Sequence, residues 1–134
     1  MADDIPVNNS QPYGNPGVEI FVWEGLKGGK KGKAINVTQF GDKNVQLGCA
    51  GGNDPGDGAV TFEGTGDSAG NPDHPDYESA VFVVLKDSFG QPITRSSNPL
   101  NAQVMQNPAW VRPAMSGTPD GGDMDVTLTC TPRR

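Results

Sequence analysis

The sequence predicts an all-β protein: an antiparallel β-sandwich, jelly-roll-like, with an extended N-terminal arm. Three observations predict it. Short runs of alternating apolar and polar residues recur along the chain, as they do in strands that bury one face. Turn-forming segments separate them, drawn from 19 glycines and 12 prolines in 134 residues. No stretch has the three-to-four spacing of an amphipathic helix. That pattern is the one expected of a sandwich or jelly roll. A chain of 134 residues reads as a single β-domain over residues 18–134 behind an arm over residues 1–17. Leu, Ile, Val and Phe together make up 26 of 134 residues, near the boundary of roughly 20% below which highly charged chains tend to be disordered. The core is therefore expected to be thin, and association with itself or with a larger surface would add stability.

Residues 1–17 place Pro6, Pro12 and Pro16 among Asn, Ser and Gly, which suits an extended arm, either unstructured or ordered against a neighbouring subunit. Residues 18–24, VEIFVWE, form the first predicted strand, with Val18, Ile20 and Val22 on one face and Phe21 and Trp23 on the other. Both faces are apolar, so both need cover. Residues 25–33, GLKGGKKGK, read as a solvated basic loop. The arrangement of a phosphate-binding P-loop is absent. Residues 34–40 and 45–49 form two strands joined by a four-residue turn, Gly41-Asp42-Lys43-Asn44. Residues 50–58 are a loop, 59–63 a short strand with Val60 and Phe62 on one face, and 64–76 a long acidic loop.

The run YESAVFVVLKDSFGQPI, residues 77–93, is the most apolar in the chain. Four of its five residues from Val81 to Leu85 are β-branched or aromatic. It is expected to be the central strand, buried on both faces, with a turn at Asp87-Ser88-Phe89-Gly90 and a return from Gln91. Residues 100–105 suit either a helical turn or an edge strand. Residues 109–115 group Trp110, Val111, Arg112 and Met115. The last strand, residues 124–131, alternates Val126, Leu128 and Cys130 with Thr127, Thr129 and Thr131.

Charge and motifs exclude several functions. A formal charge of −6 opposes binding to nucleic acid or to an anionic membrane surface. No apolar stretch approaches the roughly 18–20 residues that span a bilayer, and the start MADDIPVNNSQPYGNPG has no secretory pattern. The single histidine, His74, sits in a polar loop with no nucleophile elbow anywhere in the chain. Aspartates at 54 and 57, at 67, 73 and 76, and at 120, 123 and 125 match no calcium loop, and turn chemistry accounts for them better. Cys49 and Cys130 lack metal spacing. They read as two buried thiols, with an inter-strand disulfide as the alternative. No catalytic residue, cofactor or metal is expected.

Small, acidic, all-β and rich in proline at its arms, the chain resembles the tailed-bacteriophage capsid decoration (cement) proteins in overall character. The resemblance implies a structural protein rather than an enzyme, made in the host cytoplasm and bound to the virion exterior. Its partner would be the major capsid protein, met as a homo-oligomer, dimer or trimer, across subunit junctions. The residues that suit such a contact, by exposure and mixed aromatic and basic chemistry, are Val7, Pro12, Tyr13, Trp110, Arg112, Met115, Arg133 and Arg134. The alternative is a carbohydrate-binding β-sandwich, calcium-dependent or not, stacking sugars on Tyr13, Trp23 and Trp110. A small hydrolase on a jelly roll ranks third.

Overall fold

Thirteen short elements organise the chain in the computed structural model, which describes residues 4–10, 17–48, 53–95 and 100–132. Eleven are strands: β1 (Val7–Ser10), β2 (Glu19–Leu26), β3 (Ile35–Asn36), β4 (Phe40–Leu47), β5 (Asn53–Asp54), β6 (Val60–Thr65), β7 (Val83–Val84), β8 (Thr94–Arg95), β9 (Leu100–Gln103), β10 (Trp110–Met115) and β11 (Asp123–Pro132). The other two are single 3-10 turns, Ser68–Gly70 and Tyr77–Ser79. The strands form two antiparallel sheets that pack face to face, a β-sandwich. The larger sheet runs β1-β2-β11-β4-β9, with β5 beside one end of β11. The smaller runs β3-β10-β6-β7, with β8 also on β6.

The centre of the larger sheet is β11, hydrogen-bonded to β2 on one side and β4 on the other. Its alternation explains the position. Met124, Val126, Leu128 and Cys130 are fully buried, while the threonines between them face outward, where β-branched side chains suit the pleat. From the neighbours, Phe21 and Trp23 of β2 and Val45 and Leu47 of β4 enter the same core. The smaller sheet supplies Val60 and Phe62 of β6 and Val111 and Met115 of β10. Trp23 and Phe62 meet across the sheets edge to face, ring centroids 6.2 Å apart, and the indole N–H donates to the Lys33 carbonyl at 2.9 Å. Pairs of this geometry add about 0.5–1.5 kcal/mol beyond area burial.

Several expectations change. Residues 77–93 are not a central strand. Their strand, β7, is two residues long and lies at the edge of the smaller sheet, and Val81, Val83 and Phe89 are exposed. Tyr77, Leu85 and Ile93 alone in this run are buried, the last two tied by Leu85 N–H to Phe62 O and Ile93 N–H to Leu85 O, each 2.9 Å. Local apolarity marked the strand but not its neighbours. The turn at 87–90 stands: the Asp87 carboxylate accepts from the amides of Phe89 and Gln91, and Gly90 takes φ +75°.

Residues 34–49 do not fold as one hairpin. The chain turns earlier, at Thr38 and Gln39, where the Phe40 amide bonds to the Val37 carbonyl at 3.1 Å. The strand before the turn joins the smaller sheet and the strand after it joins the larger. The expected turn residues Gly41 to Asn44 lie inside β4, and Lys43 is buried with its ammonium on the Gly41 carbonyl and the Asn107 side chain. The basic loop at 25–33 is likewise pinned rather than free. Amides of Gly28, Gly29 and Gly32 bond to the carbonyls of Gly121, Met115 and Pro113. A side chain at Gly32 would place its Cβ 2.5 Å from Trp23 Cδ1 and 2.7 Å from Pro113 Cδ, so only glycine fits there. Finally, residues 7–10 of the predicted arm are the edge strand of the larger sheet, paired with β2, and Ile5 bridges to Gly32. Residues 100–103 take the edge-strand alternative, as β9.

Candidate binding surfaces

The long acidic loop before β7 is where a loop prediction concealed structure. Its two 3-10 turns fold over the outer face of the smaller sheet. Asp67 caps the first by accepting from the Ala69 amide at 3.0 Å, and Gly70 lies against Trp110. The second buries Tyr77, whose hydroxyl donates to Asp4 at 2.7 Å and accepts from the Ala34 amide at 3.2 Å. Burial first, then the Asp4 carboxylate, raises the Tyr77 pKa above its ordinary 10.0.

Beneath that cover lies an ion pair. Register places Arg112 of β10 opposite Glu63 of β6. The guanidinium Nε donates to the Glu63 carboxylate at 2.7 Å, with the two side chains 8% and 14% exposed. The Phe82 ring stacks on the guanidinium, 3.7 Å from its carbon to the ring centroid, and the Tyr77 ring lies at 5.8 Å. Cation–π contacts of this kind contribute about 0.5–2 kcal/mol. Phe82 turns to the sheet, and its sequence neighbours Val81 and Val83 turn to solvent.

The result is an open strand edge with an apolar surface. On its inner side β7 pairs with β6, Val84 opposite Glu63 and Val83 opposite Gly64. On its outer side no described strand pairs with it. Val81 is 74% exposed, Val83 59%, Phe89 at the hairpin tip 84%, and Met105 54%. Met105 belongs to the same margin, since its amide bonds to the Lys86 carbonyl at 3.2 Å. Natural edges are usually blunted by charge or proline, and this one is flanked by Glu78, Lys86 and Asp87 but carries valine at its middle.

The sequence-predicted contact residues are scattered. Val7 is half-buried in β1, packed against the core. Trp110 is half-buried under Gly70. Arg112 and Met115 are buried, the first by the folded loop and the second in the core, which removes both from the exposed chemistry expected of them. Pro12, Tyr13, Arg133 and Arg134 lie outside the described residues, as does Cys49. The sugar-stacking platform loses Trp23, which is fully buried. Val81, Val83, Phe89 and Met105 were missed. The signal was present, since the most apolar run in a lean chain need not be its core.

The remaining chemistry is turn chemistry. His74 is half-buried, and its Nδ1 accepts from the Asp76 amide at 3.0 Å. Asp54 accepts from the Gly56 amide at 2.9 Å. Asp57 accepts from the Thr118 hydroxyl and, at 2.7 Å, from the Thr118 amide; these bonds hold its carboxyl below the ordinary 3.8. Cys130 is a free thiol in the core, and burial above all pushes its pKa up to about 12, with the Lys43 charge opposing. Among the described residues, no group of three or more His, Cys, Asp or Glu is placed to hold a metal, and no helix is long and apolar enough to cross a membrane.

No family model matches the chain, and no curated protein matches it. Among solved structures, the chain is similar to the K1 cleaved adhesin domain of Lys-gingipain from Porphyromonas gingivalis W83, at 9% identity and a TM-score of 0.40, over 98% of this chain and 86% of that one.

Proposed function

We propose that this chain is a non-catalytic structural protein that attaches to the outside of a larger protein assembly, specifically a phage head, at junctions between major capsid protein subunits. The observation that carries the reading is the unpartnered β7 edge with Val81, Val83, Phe89 and Met105 exposed along it. Exposed apolar side chains beside unpaired backbone groups are what a docking strand or loop covers. A homo-oligomer, dimer or trimer, presents several such edges at once and gains affinity by effective concentration. Binding only to the assembled shell would then stabilise it by mass action, about 2.7 kcal/mol per site at a hundredfold excess over Kd.

The test is co-sedimentation with purified empty heads of the phage that carries the chain. Wild type saturates the heads. Val83→Asp and Phe89→Asp fold normally by circular dichroism, because both positions are exposed, and each weakens binding by about thirtyfold, the effect of losing about 2 kcal/mol at a contact hot spot. Wild-type protein that stays in the supernatant at all concentrations would remove the shell from the account. Undiminished binding by both variants would remove the edge.

A further inference from the structure

The outer face of the larger sheet is built differently from the rest of the surface. Two rows of side chains cross three strands there. One is Thr127, Gln46 and Asn101, and the next is Thr129, Asn44 and Gln103, each set aligned by backbone register. Together they floor a shallow groove of about 330 Å³, at the small end of the range of ligand sites, about 300–1,000 Å³.

Three features set it apart. First, asparagine is depleted in strands because its side chain competes for backbone hydrogen bonds, yet Asn44 and Asn101 lie within β4 and β9 facing solvent. Second, nothing in the fold uses them. Among the described residues, the side chains of Asn44, Asn101, Gln103 and Thr129 make no hydrogen bond, and Gln46 makes one, to the Gly48 carbonyl at 3.0 Å. Residues that break a local rule without structural return are where function is expected. Third, the groove is close to neutral on a chain of formal charge −6. Of its two charged residues, Lys43 is buried with its ammonium on the Gly41 carbonyl and Asn107, so the Asp42 carboxylate is the one exposed charge among nine lining residues.

Amides and hydroxyls each offer donors and acceptors together. That is the pattern a sugar hydroxyl matches, since it also donates and accepts. On the far side of β11 the same rows continue into Val22, opposite Thr127, and Ile20, opposite Thr129, both half-buried. This aliphatic strip suits the C–H face of a sugar ring. We propose that the outer face of the larger sheet binds a neutral, unbranched polysaccharide chain, its hydroxyls held by Asn44, Gln46, Asn101 and Gln103 and its apolar face laid on Ile20 and Val22. No aromatic platform and no calcium takes part. The groove lies on the opposite sheet from the β7 edge, so the inference goes beyond the attachment reading and stands apart from it.

Isothermal titration with cellohexaose, laminarihexaose and mannohexaose tests it, beside a sulfated and a uronic-acid oligosaccharide. At least one neutral hexaose binds with a Kd at or below the order of 1 mM, undiminished by EDTA. The Asn44→Ala/Gln103→Ala double variant, exposed and folded by the same circular dichroism, loses at least tenfold, while Phe89→Asp binds sugar as wild type does. Absence of binding to all three neutral chains overturns the proposal. So does a preference for the charged oligosaccharides, or equal binding by the double variant. Failure on heads with sugar binding intact would sink only the attachment reading.

Discussion

Removing one partner of the Glu63–Arg112 pair should cost far more than removing both. With side chains 14% and 8% exposed and 2.7 Å apart, the two charges are nearly dry. At an effective dielectric of about 20, unit charges at about 4 Å attract by about 4 kcal/mol, and breaking a buried pair typically costs about 3–5 kcal/mol because the survivor is stranded. Glu63→Gln leaves the guanidinium under Phe82 without its counter-charge, and its Nη1 already lacks a hydrogen-bond partner. A loss of about 3 kcal/mol is expected, the low end because the Glu63 side chain keeps some solvent. For a domain of this size that is about 10 °C in Tm. Arg112→Met should cost a similar amount. The double variant Glu63→Leu/Arg112→Met should fall within about 1 kcal/mol of wild type, since an apolar replacement removes both desolvated charges and the orphaned donor. Urea unfolding of all four proteins closes the cycle. Single variants that each lose less than about 1 kcal/mol, and whose losses add in the double, would mean a hydrated pair and a loop that does not cover it.

Two predictions concern pH. The Cys130 thiol rises from an ordinary 9.0 to about 12 in the fold, so the folded state holds its proton more tightly than the unfolded state does. Its contribution is complete below pH 9 and is lost as pH climbs toward 12, about 2 kcal/mol by pH 10.5. In a Cys49→Ser background, urea midpoints at pH 7.5 and 10.5 should separate more for Cys130 than for Cys130→Ala; identical separations would contradict a dry thiol. Asp57 runs the other way. Its folded pKa lies below 3.8, so its hold on Thr118 persists above that value and is released as pH falls through the lower one. Hydrogen exchange of the Thr118 amide should quicken in that acid range in wild type. In Asp57→Ala it should already be fast relative to wild type at neutral pH, and an amide equally protected in both would rule out the bond.

Much of the strand content was legible in the chain. Residues 124–131 alternate so cleanly that Val126, Leu128 and Cys130 had to share a buried face, and they do. The same reasoning put Val60 and Phe62 on one face, and both are buried; turn chemistry accounted for Asp54, Asp67 and Asp87, each of which accepts from an amide two residues on, because an Asx turn is a contact between near neighbours in sequence. The exposed β7 edge was legible only as apolarity. Nothing local to VFVVL told whether a sheet would close over it or leave it at the rim.

Period-two alternation tells a residue which side of its own strand it occupies, and the amino-acid order alone settles that. Which strands become neighbours depends on contacts between residues distant in sequence, and no single segment encodes it. Thus Phe40 and Ile35, five residues apart, lie in different sheets, and Arg112 sits buried because a loop some forty residues earlier in the chain folds back over it. The groove is of the same kind: Thr129, Asn44 and Gln103 come from three distant segments and become one row only when β4 pairs with both β11 and β9. Side is a property of the strand, whereas adjacency is a property of the assembled sheets.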